Sequence, residues 1–365
     1  TIDSALFLRK DLLTKHDLPV PETLTEFKNT LLNLKTKEGS NFTPLALSSE
    51  NVQPIRGAFG IVRDWTPRAD GTLMHWSQTP EFVGYINYIK ELVDLGLLQD
   101  GYLTTPSYGS MARPGLQNGS VFATLDAWWS GNGIINGIAS SLDKTQEEII
   151  ENADDYLHFI PSLKGDEKYP LSTNGKGEAR INFQVLYMFA IPKYMEDYAV
   201  SVIKWMDLKL EDENHKLLAI GEEGVHHKVI GGEYYPILEE NADGVVPFDL
   251  FNKADYFLTG TNRDLYTKFW QARARKNPRQ EFVWASMNSD KYMEEFAVED
   301  AMGLAPGFEI LGSNIAKITT LVKEYLELSI TGGTSETQAQ LIAKLNSEAK
   351  LAEATAEVNA WYKSR

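Results

Sequence analysis

Gly115-Leu-Gln-Asn-Gly-Ser-Val-Phe-Ala-Thr-Leu-Asp-Ala-Trp-Trp-Ser-Gly-Asn-Gly133 is the stretch whose reading decides the fold. Leu116 to Ser120 has the polar and glycine content of a turn. Val121 to Leu125 then reads as a strand. Asp126, Trp128 and Trp129 stand where that strand ends, and Ser130 to Gly133 opens the following loop. In open α/β sheets, ligands sit outside strand ends. Two indoles with an adjacent carboxylate at such a place can stack a sugar ring and accept its hydroxyls. The same residues also fit a plainer arrangement, with one tryptophan in the core and the other capping a helix.

Outward from this segment, short apolar runs alternate with amphipathic helices. Phe42 to Ser48 and Tyr156 to Ile160 read as strands, and Val185 to Ile191 is a further apolar run stopped by Pro192. Phe82, Tyr85, Ile86, Ile89, Leu92 and Val93 recur at helical spacing behind a cap at Ser77 or Thr79. Ala199, Val202, Ile203, Met206 and Leu210 share a face of a second helix. The alternation argues for helices packed on sheets. Lys164 to Gly177, rich in glycine and polar residues, is the natural connection between lobes, and Ser335 to Ser364 reads as helix.

Composition bounds the function. The chain has 365 residues, enough for two domains, and 43% of them are hydrophobic. It contains no apolar run of about 18 residues, the length a membrane-crossing helix needs. Thr1-Ile-Asp-Ser-Ala-Leu6 does not follow the basic-then-apolar pattern of an export signal. With 35 Lys and Arg against 51 Asp and Glu, the net charge is −16, which disfavours nucleic acid and anionic membrane surfaces. The most basic run, Lys268 to Arg279, reads as the solvated face of a helix. Cysteine is absent, which removes disulfides, thiolate metal sites and a cysteine nucleophile. The 8 Trp and 16 Tyr fit a core and also fit carbohydrate stacking.

Catalytic motifs are missing: there is no Gly-x-Ser-x-Gly, no phosphate-binding loop and no His-Glu-x-x-His. His226 and His227 are adjacent, a spacing that points them in different directions on a strand or a helix, so no metal is expected there. Asp126 near two tryptophans, or Glu222 beside Glu223, could form a glycosidase pair only at a separation of roughly 5 to 9.5 Å. A glycoside hydrolase therefore remains the alternative from another class, beside a receptor for a peptide or other non-sugar solute.

Six segments, in order, resemble the extracellular solute-binding proteins of carbohydrate ABC importers, the family 1 group that includes maltose-binding protein. They are Ala5 to Phe27, Trp76 to Gln99, Gln117 to Thr124, Phe159 to Gly165, Ile220 to Tyr235, and Glu357 to Tyr362. The chain looks closest to the lipoprotein-type members of Firmicutes. The resemblance implies a type II periplasmic-binding-protein-like fold, with two α/β lobes joined by a hinge that close over a ligand. It also implies that the N-terminal lobe segment precedes this chain, leaving one lobe incomplete. Residues 1–183 would be the first part of the C-terminal lobe, 184–300 a return segment to the N-terminal lobe, and 301–365 helices packing back on the first.

Functionally, the resemblance implies no catalysis and no cofactor. The expected ligand is a sugar or oligosaccharide, the expected partner the transmembrane subunits of an ABC permease. The protein would act as a monomer outside a bacterial cell, lipid-anchored or periplasmic. Trp128 falls where the family's stacking tryptophan sits, with Trp129 and Asp126 beside it. Glu223, His226 and His227 fall on a Glu-Gly-x-His-Tyr segment, in which His227 replaces the tyrosine. Asn51, Gln53 and Arg56, with Glu50, fall in a loop where members place ligand contacts.

Overall fold

Strand β1 (Ser4–Arg9) ties together the main sheet of the computed structural model, which describes residues 1–48, 52–102, 112–181, 190–252 and 266–365. The chain divides into two compact units: a larger one, Ile2–Asn182 with Met287–Arg365, and a smaller one, Phe183–Ser286 with Thr1. Along the larger unit run β2 (Thr43–Ala46), β3 (Trp65–Pro67), β4 (Leu73–His75), β5 (Val121–Ala127) and β6 (Leu157–Ile160). The sheet order is β2-β5-β1-β6, with β2 parallel to β5 and β1 antiparallel to both its neighbours. Leu6 lies opposite Leu125 and Ile160, and Phe7 lies opposite Thr124 and Phe159. Strand side chains alternate, so Leu6, Leu8, Ala123 and Leu125 face one side while Phe7, Thr124 and Asp126 face the other. All seven residues of β5 are buried, as expected of a strand covered on both faces.

The first face belongs to the main core. Leu6, Leu8, Leu125 and Ile160 join Leu24, Phe27 and Leu31 of the helix Leu24–Glu38, and Phe82, Tyr85 and Ile89 of the helix Pro80–Asp94. Each fully buried side chain of this size contributes about 1.5–3 kcal/mol. Caps are worth about 1 kcal/mol, so burial decides the fold and the caps trim its ends. Thr23 and Glu26 make a capping box, and Thr79 with Pro80 starts the second helix.

Two local expectations change. Leu116 to Ser120, read as a turn, is the end of the helix Ala112–Asn118. Gly119, at φ +82°, stops that helix, and buried Arg9 donates through Nη1 to the carbonyls of Leu116 (2.8 Å) and Gln117 (3.1 Å). Ser130 to Gly133, read as a loop, instead leads into the helix Gly131–Ser141. Burial of Ile134, Ile135 and Ile138 on one face overrides the poor helix propensity of its glycines.

The expected lobe connection, Lys164 to Gly177, is a packed loop inside the larger unit. The Lys164 N–H donates to Glu22, the Thr173 N–H to Ala58, and the Glu178 N–H to Gly57. The chain crosses between units at Asn182–Phe183 and returns at Ser286–Met287. After that return, Ala297–Val298 pairs in parallel with Ala179–Arg180 of the same unit. Three helices end the chain: Glu309–Thr331, Gln338–Ala349 and Leu351–Tyr362, the last two separated by Lys350 in a left-handed conformation. Asn359 bonds both backbone groups of Leu73. Glu357 accepts from the N–H groups of Glu309, Ile310 and Leu311, capping one helix with a side chain from another.

The smaller unit has its own small core of Ala219, Ile220, Phe248, Phe269 and Ala272, closed by Tyr234 and Val246. Gly231 and Gly232, both at positive φ, turn the hairpin His227–Ile230/Glu233–Pro236. The basic run is solvated only in part: Lys268 is exposed, but its two central arginines are not. Arg273 and Arg275 are buried, and Arg275 pairs with Glu233 and with Glu281 (3.1 Å), donates to the Tyr234 carbonyl (2.7 Å) and lies over the Tyr235 ring. The helix Ala199–Leu210 forms, but its apolar residues are not enclosed. Ile203 is 59% exposed, and Val200, Trp205 and Leu208 are exposed with it. The run Val185 to Ile191 falls largely outside the described residues.

Hydrogen bonding to three backbone N–H groups holds the Glu357 carboxyl below the ordinary glutamate value of 4.5. Its stabilising contribution is therefore complete above 4.5 and is lost as pH falls through the lowered value. Glu357→Gln should lower the melting temperature at neutral pH. The gap from the parent protein should close on acidification, as measured by thermal unfolding across a pH series.

Candidate functional site

At its C-terminal end β5 carries the residues singled out in the sequence. Immediately after Ala127, Trp128–Ser130 forms one turn of 3-10 helix and runs into Gly131–Ser141. The Trp128 N–H donates to the Asp3 carbonyl at 3.1 Å, which ties the turn to the residue preceding β1. Trp128 is partly buried and Trp129 is 49% exposed. Their rings meet edge to face, with centroids 5.6 Å apart and planes at 81°. An edge-to-face pair of this kind is a rigid apolar surface with a polar N–H on each ring.

Asp126, two residues before Trp128, is fully buried. A buried carboxylate needs a counter-charge, and Arg113 of the helix Ala112–Asn118 supplies it. Arg113 Nε bonds one carboxylate oxygen at 2.6 Å and Nη2 the other at 2.8 Å. The Ala127 N–H adds a third bond at 2.7 Å. Arg113 Nη2 also donates to Ser130 Oγ. The Arg113 side chain is 38% exposed. Of the ion pair, the Arg113 side chain reaches solvent and the Asp126 side chain does not, whereas the sequence pointed to the carboxylate. Arg113 was missed because it sits 13 residues from its partner, across a helix end and a turn. The available signal was electrostatic: a carboxylate at the end of a largely apolar strand requires a cation nearby.

Asn51 and Glu50 fall outside the described residues. Gln53 begins the short helix Gln53–Ala58 and is half-buried. Arg56 is committed inside the larger unit. Its Nε donates to the Ile61 carbonyl at 2.9 Å, and its guanidinium lies 4.0 Å over the Trp76 ring. Trp76 in turn packs edge-on against Phe82, so Arg56 is anchored to the core.

Glu223, His226 and His227 belong to the smaller unit. Glu223 is exposed, and half-buried His226 accepts the Glu222 N–H through Nδ1 at 3.0 Å. His227 is fully buried, edge-on to Tyr234, with Nδ1 3.1 Å from the Ile220 carbonyl. A carbonyl can only accept, so Nδ1 carries the proton. Burial lowers the pKa of His227, which favours its neutral form. The two histidines therefore face different surroundings. Among the described residues, no three His, Asp or Glu side chains are grouped to hold a metal, and no helix is long and apolar enough to cross a membrane.

No family model matches the chain. An uncharacterised protein from the butB 5′ region of Niallia circulans is 25% identical over 281 residues, covering 77% of this chain and 98% of that protein. The alginate-binding protein AlgQ2, solved without calcium ion, superposes with a TM-score of 0.61 at 15% identity, over 99% of this chain and 72% of that one. The substrate-binding protein FusA of a Streptococcus pneumoniae ABC transporter, an EF-hand mutant in complex with fructo-nystose, gives 0.60 at 14% identity, over 100% and 72%. An HMO-binding, ABC-transporter-associated solute-binding protein from Bifidobacterium longum infantis gives 0.56 at 15%, over 98% and 73%. The fold is that of the type II periplasmic-binding-protein-like proteins, mixed α/β.

Removing one member of the Arg113–Asp126 pair strands the other. Arg113→Met should cost about 3–5 kcal/mol, because it leaves a buried carboxylate unpaired. Adding Asp126→Leu should recover most of that loss. Urea unfolding of the single and double variants measures both. A double variant no more stable than Arg113→Met would contradict the pairing.

Proposed function

We propose that this chain is the receptor of a carbohydrate ABC importer: it binds an oligosaccharide outside a bacterial cell, leaves it unchanged, and presents it to the permease. The observation that supports this most is Trp129, half-exposed and braced edge-on by Trp128 at the end of β5. It occurs in a fold shared with an alginate-binding protein and with one solved in complex with fructo-nystose. A large exposed aromatic normally costs burial energy. Here its ring offers a flat apolar face to the C–H groups of a sugar.

In this reading Trp129 and Trp128 stack the ligand, and Gln53 of the larger unit supplies hydrogen bonds. Glu223 and His226 are the polar candidates of the smaller unit taken by itself, and Asn51 lies outside the described residues. Asp126, Arg56 and His227 are buried or anchored groups that hold their neighbours in place. The protein acts as a monomer without a cofactor, either lipid-anchored or periplasmic.

The test is a panel of oligosaccharides and peptides, with binding followed by calorimetry and the recovered ligand analysed by mass spectrometry. The expected result is saturable binding of at least one glycan, returned intact. Trp129→Ala should weaken it by about fivefold or more, on the order of 1 kcal/mol. Cleavage of a glycan would move the protein to the glycoside hydrolases. Binding confined to peptides would retain the receptor and change its ligand class.

A further inference from the structure

The guanidinium of Arg113 joins two points of the chain that bracket the tryptophans. Asp126 lies two residues before Trp128, and Ser130 directly follows Trp129. Arg113 holds the first through both carboxylate oxygens and the second through Ser130 Oγ. The entry to the turn is fixed independently. Asp126 lies in β5 opposite Ala5, its Oδ1 accepts the Ala127 N–H, and the Trp128 N–H is held by Asp3. The exit, at Ser130, is thereby referenced to the sheet by one rigid planar fork. Such a fork fixes geometry as well as charge, which an ammonium group cannot do.

We propose that Arg113 is the positioning residue of the tryptophan pair: by tying Ser130 to Asp126 it sets the angle between the Trp128 and Trp129 rings. Its consequence for affinity rests on the receptor reading, since a preorganised surface saves ordering cost only when something binds it. Arg113 touches no ligand and acts through the two indoles.

Circular dichroism tests the proposal without a ligand. Two indoles 5.6 Å apart and at 81° couple electronically and give a paired positive and negative band. Subtracting the spectrum of Trp129→Phe isolates that band among the eight tryptophans. Arg113→Lys, which keeps the charge but not the fork, should shrink the isolated band by about half or more. Ser130→Ala, which spares the ion pair, should shrink it as well, with little change in melting temperature. For any glycan the parent protein binds, Arg113→Lys should weaken affinity by about tenfold. A band unchanged in both folded variants would overturn the proposal and leave Arg113 as a counter-ion only. A parent protein that binds no glycan would overturn the receptor reading, while the band still decides the role of Arg113.

Discussion

Asp126 carries a carboxylate where no water reaches, at the end of a strand buried along its whole length. Desolvating such a group costs several kcal/mol, and only a close, well-aligned cation offsets it. Arg113 meets that requirement with two parallel bonds, and its other reach, to Ser130, draws the following helix onto the strand end. The strand direction, the helix before it and the helix after it are thus coordinated at one ion pair. The tryptophans lie on the short turn that this pair spans.

The sheet makes the arrangement possible. Because β1 runs antiparallel to β5, the start of β1 lies beside the end of β5, and Asp3 can hold the Trp128 N–H. The far end of β1 places Arg9 against the end of the helix that carries Arg113, where it binds the Leu116 and Gln117 carbonyls. Strand β1 and the residue before it therefore fix both ends of the segment from Leu116 to Trp128. The terminal helices add support at a distance, with Asn359 holding β4 through Leu73.

Local patterns in the sequence resolved where the chemistry is local. The spacing of Phe82, Tyr85, Ile86, Ile89 and Leu92 identified their helix because each is buried on the same face. Val121 to Leu125 was legible as a strand, and the strand end was correctly placed near the tryptophans. Interactions between distant residues were not legible. Arg275 looks like part of a solvated run until Glu233, 42 residues earlier, is folded against it. The Gly131–Ser141 helix is held by isoleucine burial that its glycines conceal. Asp126 was singled out as a ligand group because its residue type suits that role, and its partner became visible only in three dimensions.

Indole N–H resonances report most directly on the central claim, that the paired tryptophans at the end of β5 receive a sugar. The chain has eight tryptophans, so a two-dimensional 15N spectrum offers a distinct signal for each ring, assignable by single substitution to phenylalanine. Titration with a glycan that binds should shift the Trp128 and Trp129 signals together and saturably. Saturable binding that leaves both signals in place, while moving other tryptophans or none, would contradict it.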